Sequence, residues 1–154
     1  MNDFLNSALY QKIHNYLPIV CVDIVLKTPE GKFLLVKRKK EPAKDNWWLV
    51  GGRVFKNESL ESAARRKVQE EIGLVVEKVE KIIAGYELIF KEDPYGHENG
   101  THTIVACFLS EIENIGNLKL DNFHSEYKLF RYYDNNWHHY LKKCLHRAGY
   151  SPKI

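Results

Sequence analysis

The chain is short of cysteine. Three stand in its 154 residues, Cys21, Cys107 and Cys144, far apart and odd in number. That excludes a disulfide scaffold, and nothing around them resembles a zinc motif. Reduced, mostly buried thiols in a cytoplasmic protein are expected. Long apolar runs are missing too. None reaches the roughly 18 to 20 residues that a membrane span needs, so no membrane partner is expected. The opening segment, MNDFLNSALYQKIHNYLP, has no basic stretch ahead of an apolar core and does not read as a secretory signal. Net charge is low: 23 Lys and Arg against 20 Asp and Glu leave +3. With the basic residues scattered, no nucleic acid partner is expected. A small polyanion needs only a few local cations and stays open. Repeats and low-complexity segments are absent.

What remains is ordinary for a globular protein, 44% hydrophobic and 28% charged. The length predicts one domain over 1–154 with a sizeable core. Apolar positions at Phe4, Leu5, Ala8, Leu9, Ile13 and Leu17 fit an amphipathic helix over 2–16, within an N-terminal segment 1–17 that Pro18 ends. IVCVDIVLK and FLLVKRK, joined by the turn TPEGK, predict a hairpin over 19–39. WWLV predicts a short buried strand leading to Gly51 and Gly52. Residues 59–72 form the clearest helix, with Ser59 or Asn57 as its cap and Gly73 just past its end. Strands are predicted over 74–90, along THTIVACFLS and along HSEYKLFRY, and a helix over 134–149 closes the chain. The loop KEDPYGHENG is long for a compact domain, and such loops often serve function. This order fits an α/β (α+β) fold, an α/β/α sandwich with a mixed central sheet.

One motif is dense. Gly52 is followed by Glu58, then by the run Arg66-Lys67-Val68-Gln69-Glu70-Glu71-Ile72-Gly73-Leu74. Glu70 and Glu71 lie about 100° apart on a helix and can border one cleft. Arg66, one turn before Glu70, is spaced to hold that carboxylate. Clustered carboxylates favour a hard divalent cation such as Mg²⁺ or Mn²⁺, which neutralises phosphate oxygens. Gly51 and Gly52 allow close approach of the backbone to such groups. A charged helix is more often only a solvated face. The Gly-Gly pair and the spaced Glu58 argue against that here.

The motif resembles the Nudix box: Gly, five residues, Glu, seven residues, then Arg-Glu-aliphatic-any-Glu-Glu-any-Gly-aliphatic. Eight of its nine fixed positions match. The resemblance implies hydrolysis of a nucleoside diphosphate derivative, with Glu71 and the Gly51 carbonyl as metal ligands and Glu70 as a second carboxylate.

The ninth position departs. Lys67 stands where the family has a glutamate that acts as base or orients the attacking water. A protonated lysine cannot do that. Either the chain is an inactive nucleotide-binding module or the base lies elsewhere. Beyond the box, GKFLLVKRKKEPAKDNWWLVGGRV and DNFHSEYKLF look like the GDP-mannose mannosyl hydrolases, a Nudix subgroup without that glutamate. The N-terminal helix, Pro18 and the strand bearing Asp23 are also similar. The likeness covers roughly residues 5 to 130. It implies cleavage of the sugar C–O bond of a nucleoside diphosphate sugar, with His124 as base, Arg38 and Arg53 on the diphosphate, and Asp23 on sugar hydroxyls or the base. It also implies a homodimer. Histidine suits proton transfer near neutrality, and arginine forks onto phosphate oxygens. Three positions differ from the subgroup: Val50 for a proline, Phe123 for a glutamine metal ligand, and Thr103 for a tyrosine. Asn122, Glu126 or water would have to replace the ligand lost at Phe123. An ordinary pyrophosphatase acting on ADP-ribose or an NTP is the alternative.

His14, His138, His139 and His146 are expected to be structural or exposed. His97 and His102 flank the long loop, within reach of a substrate. Trp47 and Trp48 are expected in the core, with at most one facing the ligand. Asp23 interrupts an apolar strand, so it must line a cleft or find a partner, because an unpaired buried charge is costly.

Overall fold

The computed structural model describes residues 6–154. The first helix, α1, is Ser7–Tyr16. Phe4 and Leu5 of the expected pattern lie outside the described residues. Asn6 caps α1, its side-chain oxygen accepting from the Leu9 N–H at 2.9 Å.

β1 (Ile19–Lys27) and β2 (Phe33–Arg38) form the expected hairpin, but they pair only beside the turn, at Leu26 with Leu34 and Lys27 with Phe33. Beyond those pairs the strands part, and residues 47–53 fill the gap. There β3 (Trp47–Trp48) pairs with β2, and β4 (Val50–Arg53) pairs with β1. Then follow α2 (Leu60–Ile72), β5 (Glu80–Phe90), β6 (Thr101–Glu111), β7 (His124–Phe130) and α3 (His139–Arg147). β6 runs parallel to β1 and antiparallel to β5, while β7 takes the other edge of β2. The sheet is mixed, in the order β3-β2-β1-β6-β5.

Side chains alternate across a strand, which divides the core in two. Val22, Ile24 and Leu26 of β1 pack with Ala63, Ala64, Val68 and Ile72 of α2. Val25, on the opposite face, packs with Tyr140, Leu141, Cys144 and Leu145 of α3. Helices therefore cover both faces, giving the expected sandwich. Val68 and Ile72 are fully buried. Each contributes roughly 1.5 to 3 kcal/mol by leaving water, which is what anchors the motif helix.

Of the two cap candidates, Ser59 caps α2, accepting from the Ser62 N–H at 3.1 Å. Gly73 ends the helix at φ 70°, a left-handed conformation that glycine adopts without steric penalty. Two expected elements are shorter than the sequence suggests. Residues 74–79 are not strand: Leu74 and Val76 reach the α2 cluster from irregular backbone, and β5 begins at Glu80. The last helix begins at His139, not at 134. Asp134 instead accepts from the Asn136 N–H and the Trp137 N–H in a turn, and His138 caps the helix by accepting from the Tyr140 N–H. Among the described residues no helix is long and apolar enough to cross a membrane.

Candidate active site

Arg66 organises the entrance to α2. Its Nε and Nη2 fork onto the two Glu58 oxygens at 2.6 and 2.9 Å. Nη2 also reaches the Arg53 carbonyl at 2.9 Å, and Nη1 reaches both Glu70 oxygens. The guanidinium lies 3.8 Å over the Phe55 ring. Glu58 accepts a further bond from the Phe55 N–H. Hydrogen bonds from Arg66 hold the Glu58 carboxyl below the usual carboxylate range. Glu58 thus fixes the loop after Gly52.

Glu71 is 8% exposed and faces three groups. Lys67 Nζ lies 3.0 Å from Oε1, the Gly51 N–H donates to Oε2 at 3.2 Å, and His124 Nε2 stands 3.9 Å from Oε2. Burial pushes the Glu71 carboxyl up, and Lys67 and His124 offset part of that. Lys67 Nζ also lies 3.2 Å from Glu70 Oε2. Burial pulls the Lys67 ammonium down, but Glu71 and Glu70 outweigh it and hold it charged above its ordinary range. His124 opens β7 and is buried. Its Nδ1 pairs with Asp121 Oδ1 at 2.8 Å, so Nε2 is the nitrogen left for proton transfer.

Arg38, Arg53, Asp23, Gly51 and Gly52 line one cleft of about 190 Å³. The parting of β1 and β2 opens it. Arg38 Nε donates to the Pro42 carbonyl at 2.7 Å, and the Arg53 guanidinium lies 4.0 Å over Tyr10. A second hollow of about 530 Å³ adjoins it across Glu41, Ala43, Trp48 and Phe90, with Trp47, Trp137 and His138 in its walls. His124 does not line the cleft; it stands beside Glu71, which the Gly51 N–H ties to the cleft wall.

Asp23 sits on the cleft floor with a partner, accepting from the Tyr140 hydroxyl at 2.9 Å. Burial pushes its carboxyl up to about 7, against the pull of Tyr140 and Arg38. The folded state therefore holds the Asp23 proton more tightly than the unfolded chain does. The stability this contributes is complete below the unfolded value near 4 and is lost as pH rises through about 7. Asparagine mimics the neutral form. Urea unfolding across this window should show wild type losing stability relative to Asp23→Asn as pH rises. Parallel profiles would contradict the assignment.

Several residues carried no recognisable signal. Asp121 was legible only as a polar loop residue. His14, expected to be structural or exposed, lines the cleft, and its Nδ1 pairs with His97 Nε2 at 2.8 Å. Of the replacements suggested for the ligand lost at Phe123, Glu126 is engaged elsewhere. Glu126 turns to Lys37 at 2.9 Å, and Phe123 itself is 55% exposed.

The expected metal place can be tested on its donors. Glu58 is committed to Arg66, and Glu70 and Glu71 are bridged by the Lys67 ammonium. Among the described residues no group of three or more His, Cys, Asp or Glu is arranged to hold an ion. As arranged, these carboxylates are paired with protein cations and do not fit a divalent cation.

A family model, the NUDIX domain, matches residues 17–148. The low-salt glycan biosynthesis protein Agl8 of Haloferax volcanii is 33% identical over 129 residues, 84% of this chain and 81% of that protein. The ADP-ribose pyrophosphatase of Methanocaldococcus jannaschii is 39% identical over 88 residues, 56% of this chain and half of the relative. A MutT NUDIX hydrolase from Burkholderia pseudomallei has the same fold, with a TM-score of 0.69 at 24% identity, covering 84% of this chain and 97% of that one. The NUDIX domain of Shewanella oneidensis NrtR, solved with ADP ribose, gives 0.59 at 21%, covering 82% and 83%. The fold, the box on α2 and this extended likeness agree, and the chain belongs to the Nudix hydrolase family, whose members act on nucleoside diphosphate derivatives and generally use divalent metal ions.

Proposed function

We propose that the chain hydrolyses a nucleoside diphosphate sugar at the sugar C–O bond, releasing NDP and free sugar. The observation that carries this reading is the cleft. Arg38 and Arg53 share it with the Gly51–Gly52 backbone, and it opens onto a hollow walled by Trp47, Trp48, Phe90 and Trp137. Two arginines suit a diphosphate, and aromatic faces suit a base or a sugar ring. The combined hollow has the size of a ligand site.

The chemistry follows from the residues present. Water attacks the anomeric carbon, and His124 Nε2 takes its proton. Asp121 holds the ring through Nδ1 and stabilises the imidazolium. The bond between the anomeric carbon and the diphosphate oxygen breaks, and its electron pair leaves with the NDP. Arg38 and Arg53 neutralise that leaving group. Asp23 offers a carboxyl hydrogen bond to a sugar hydroxyl. Lys67 in the box supports a base outside α2.

The name of the Haloferax volcanii relative, a glycan biosynthesis protein, is consistent with a sugar nucleotide. The ADP-ribose pyrophosphatase relative favours a second reading, cleavage of the phosphoanhydride. Turnover of GDP-mannose and ADP-ribose in ¹⁸O-water separates the two. We expect GDP and labelled mannose. Formation of GMP and mannose 1-phosphate, with the label on phosphate, would overturn C–O cleavage. Inertness toward a full nucleotide-sugar panel would leave a binding module.

A further inference from the structure

We propose that Lys67 is a resident cation that takes the divalent ion's place in this chain, its ammonium standing 3.0 Å from Glu71 Oε1 and 3.2 Å from Glu70 Oε2. Two carboxylates from adjacent helical positions converge on one positive centre. A hard cation would seek those same oxygens. The other Glu71 oxygen accepts from the Gly51 N–H at 3.2 Å.

The lysine is seated. It is 17% exposed, and its stem passes where Gly52 carries no side chain. A Cβ on Gly52 would lie 2.7 Å from Lys67 Cε and 3.2 Å from Nζ. The glycine of the box therefore makes room for the lysine. Its position at i,i+3 and i,i+4 from the two glutamates is the spacing at which helix side chains meet.

Charge balance points the same way. Arg66 and Lys67 face Glu58, Glu70 and Glu71 in this cluster. Two positive charges against three negative leave one negative. A glutamate at 67 would set one positive charge against four negative ones, leaving three, and a dication would then be needed. Lysine at this position removes most of that demand. Any attraction left for a second cation must displace the ammonium first, so binding is weakened by competition for the same oxygens.

Mn²⁺ titration by calorimetry, without nucleotide, tests this on wild type, Lys67→Glu and Lys67→Met. Circular dichroism and thermal unfolding identify which variants are folded. Wild type should show no saturable site at submillimolar Mn²⁺. Lys67→Glu should gain one site at least about tenfold tighter, equal to about 1.4 kcal/mol. Its unfolding temperature should rise with Mn²⁺ while that of wild type does not. If Lys67→Glu does not fold, Lys67→Met, which takes the ammonium away from both carboxylates, should bind Mn²⁺ more tightly than wild type. One tight Mn²⁺ in wild type, with an affinity matched by the folded variants, would overturn the proposal. No nucleotide enters the experiment, so its outcome is independent of the substrate assigned above.

Discussion

Replacing His124 by alanine should lower kcat by about 10² to 10⁴, the range for losing a general base. The expectation rests on geometry. Asp121 holds Nδ1 at 2.8 Å, and Nε2 points toward Glu71 beyond hydrogen-bonding distance, at 3.9 Å. No box carboxylate can substitute. Glu58 and Glu70 are held by Arg66, Glu71 is held by Lys67, and position 67 is itself a lysine. The loss should fall on kcat and leave KM nearly unchanged, since Arg38 and Arg53 line a cleft that His124 does not. Asp121→Asn should lower kcat less, because it leaves the imidazole in place and removes only the carboxylate that positions it. Steady-state kinetics on folded variants decide the matter. Near-wild-type turnover by His124→Ala removes the residue from the mechanism.

Replacing Arg66 by alanine should have the largest effect on stability. The change strands Glu58, a carboxylate 10% exposed, with one backbone N–H from Phe55 in place of a two-pronged guanidinium. It also leaves Glu70 to Lys67 alone and takes the guanidinium from the Arg53 carbonyl. Breaking a nearly buried ion pair from one side costs about 3 kcal/mol, and for a chain of this length that lowers Tm by roughly 6 to 12 °C. Because Arg66 depresses the Glu58 pKa, the pair's contribution is present above the unfolded carboxylate value and is lost as pH falls through the folded one. The deficit of the variant should therefore shrink in acid. Adding Glu58→Gln should restore part of the loss, because it removes the stranded charge. A Tm within 2 °C of wild type, on the order of the smallest shift expected for 1 kcal/mol, would contradict the argument.

The parts of this molecule legible in the sequence are those governed by short-range rules. α2 is bounded by a side-chain cap at Ser59 and a left-handed Gly73, both of which act within four residues. The Arg66–Glu70 pair follows from helical spacing alone. The same spacing sets Lys67 beside Glu71, but spacing alone does not show that both side chains are largely buried there. Strand limits were harder. Val75, Val76 and Val79 have strong β propensity, yet whether they enter a ladder depends on which partner reaches them. His138 looked like helix interior because nothing in sequence shows that its ring turns back to cap Tyr140. Pairings such as His14 with His97 or Asp23 with Tyr140 join residues 83 and 117 positions apart, where no local pattern operates.

The parted hairpin has a consequence for timing. β1 hands over one neighbour for another along the same edge, β4 at residues 21–24 and β2 at 26–27, while β6 lines its opposite edge throughout. Asp23 is thus carried on a strand flanked on both sides, which in most proteins exchanges its amide hydrogens only when the whole molecule opens. The cleft floor should therefore be in place before any ligand arrives. Binding then requires no rearrangement of the strand that carries Asp23.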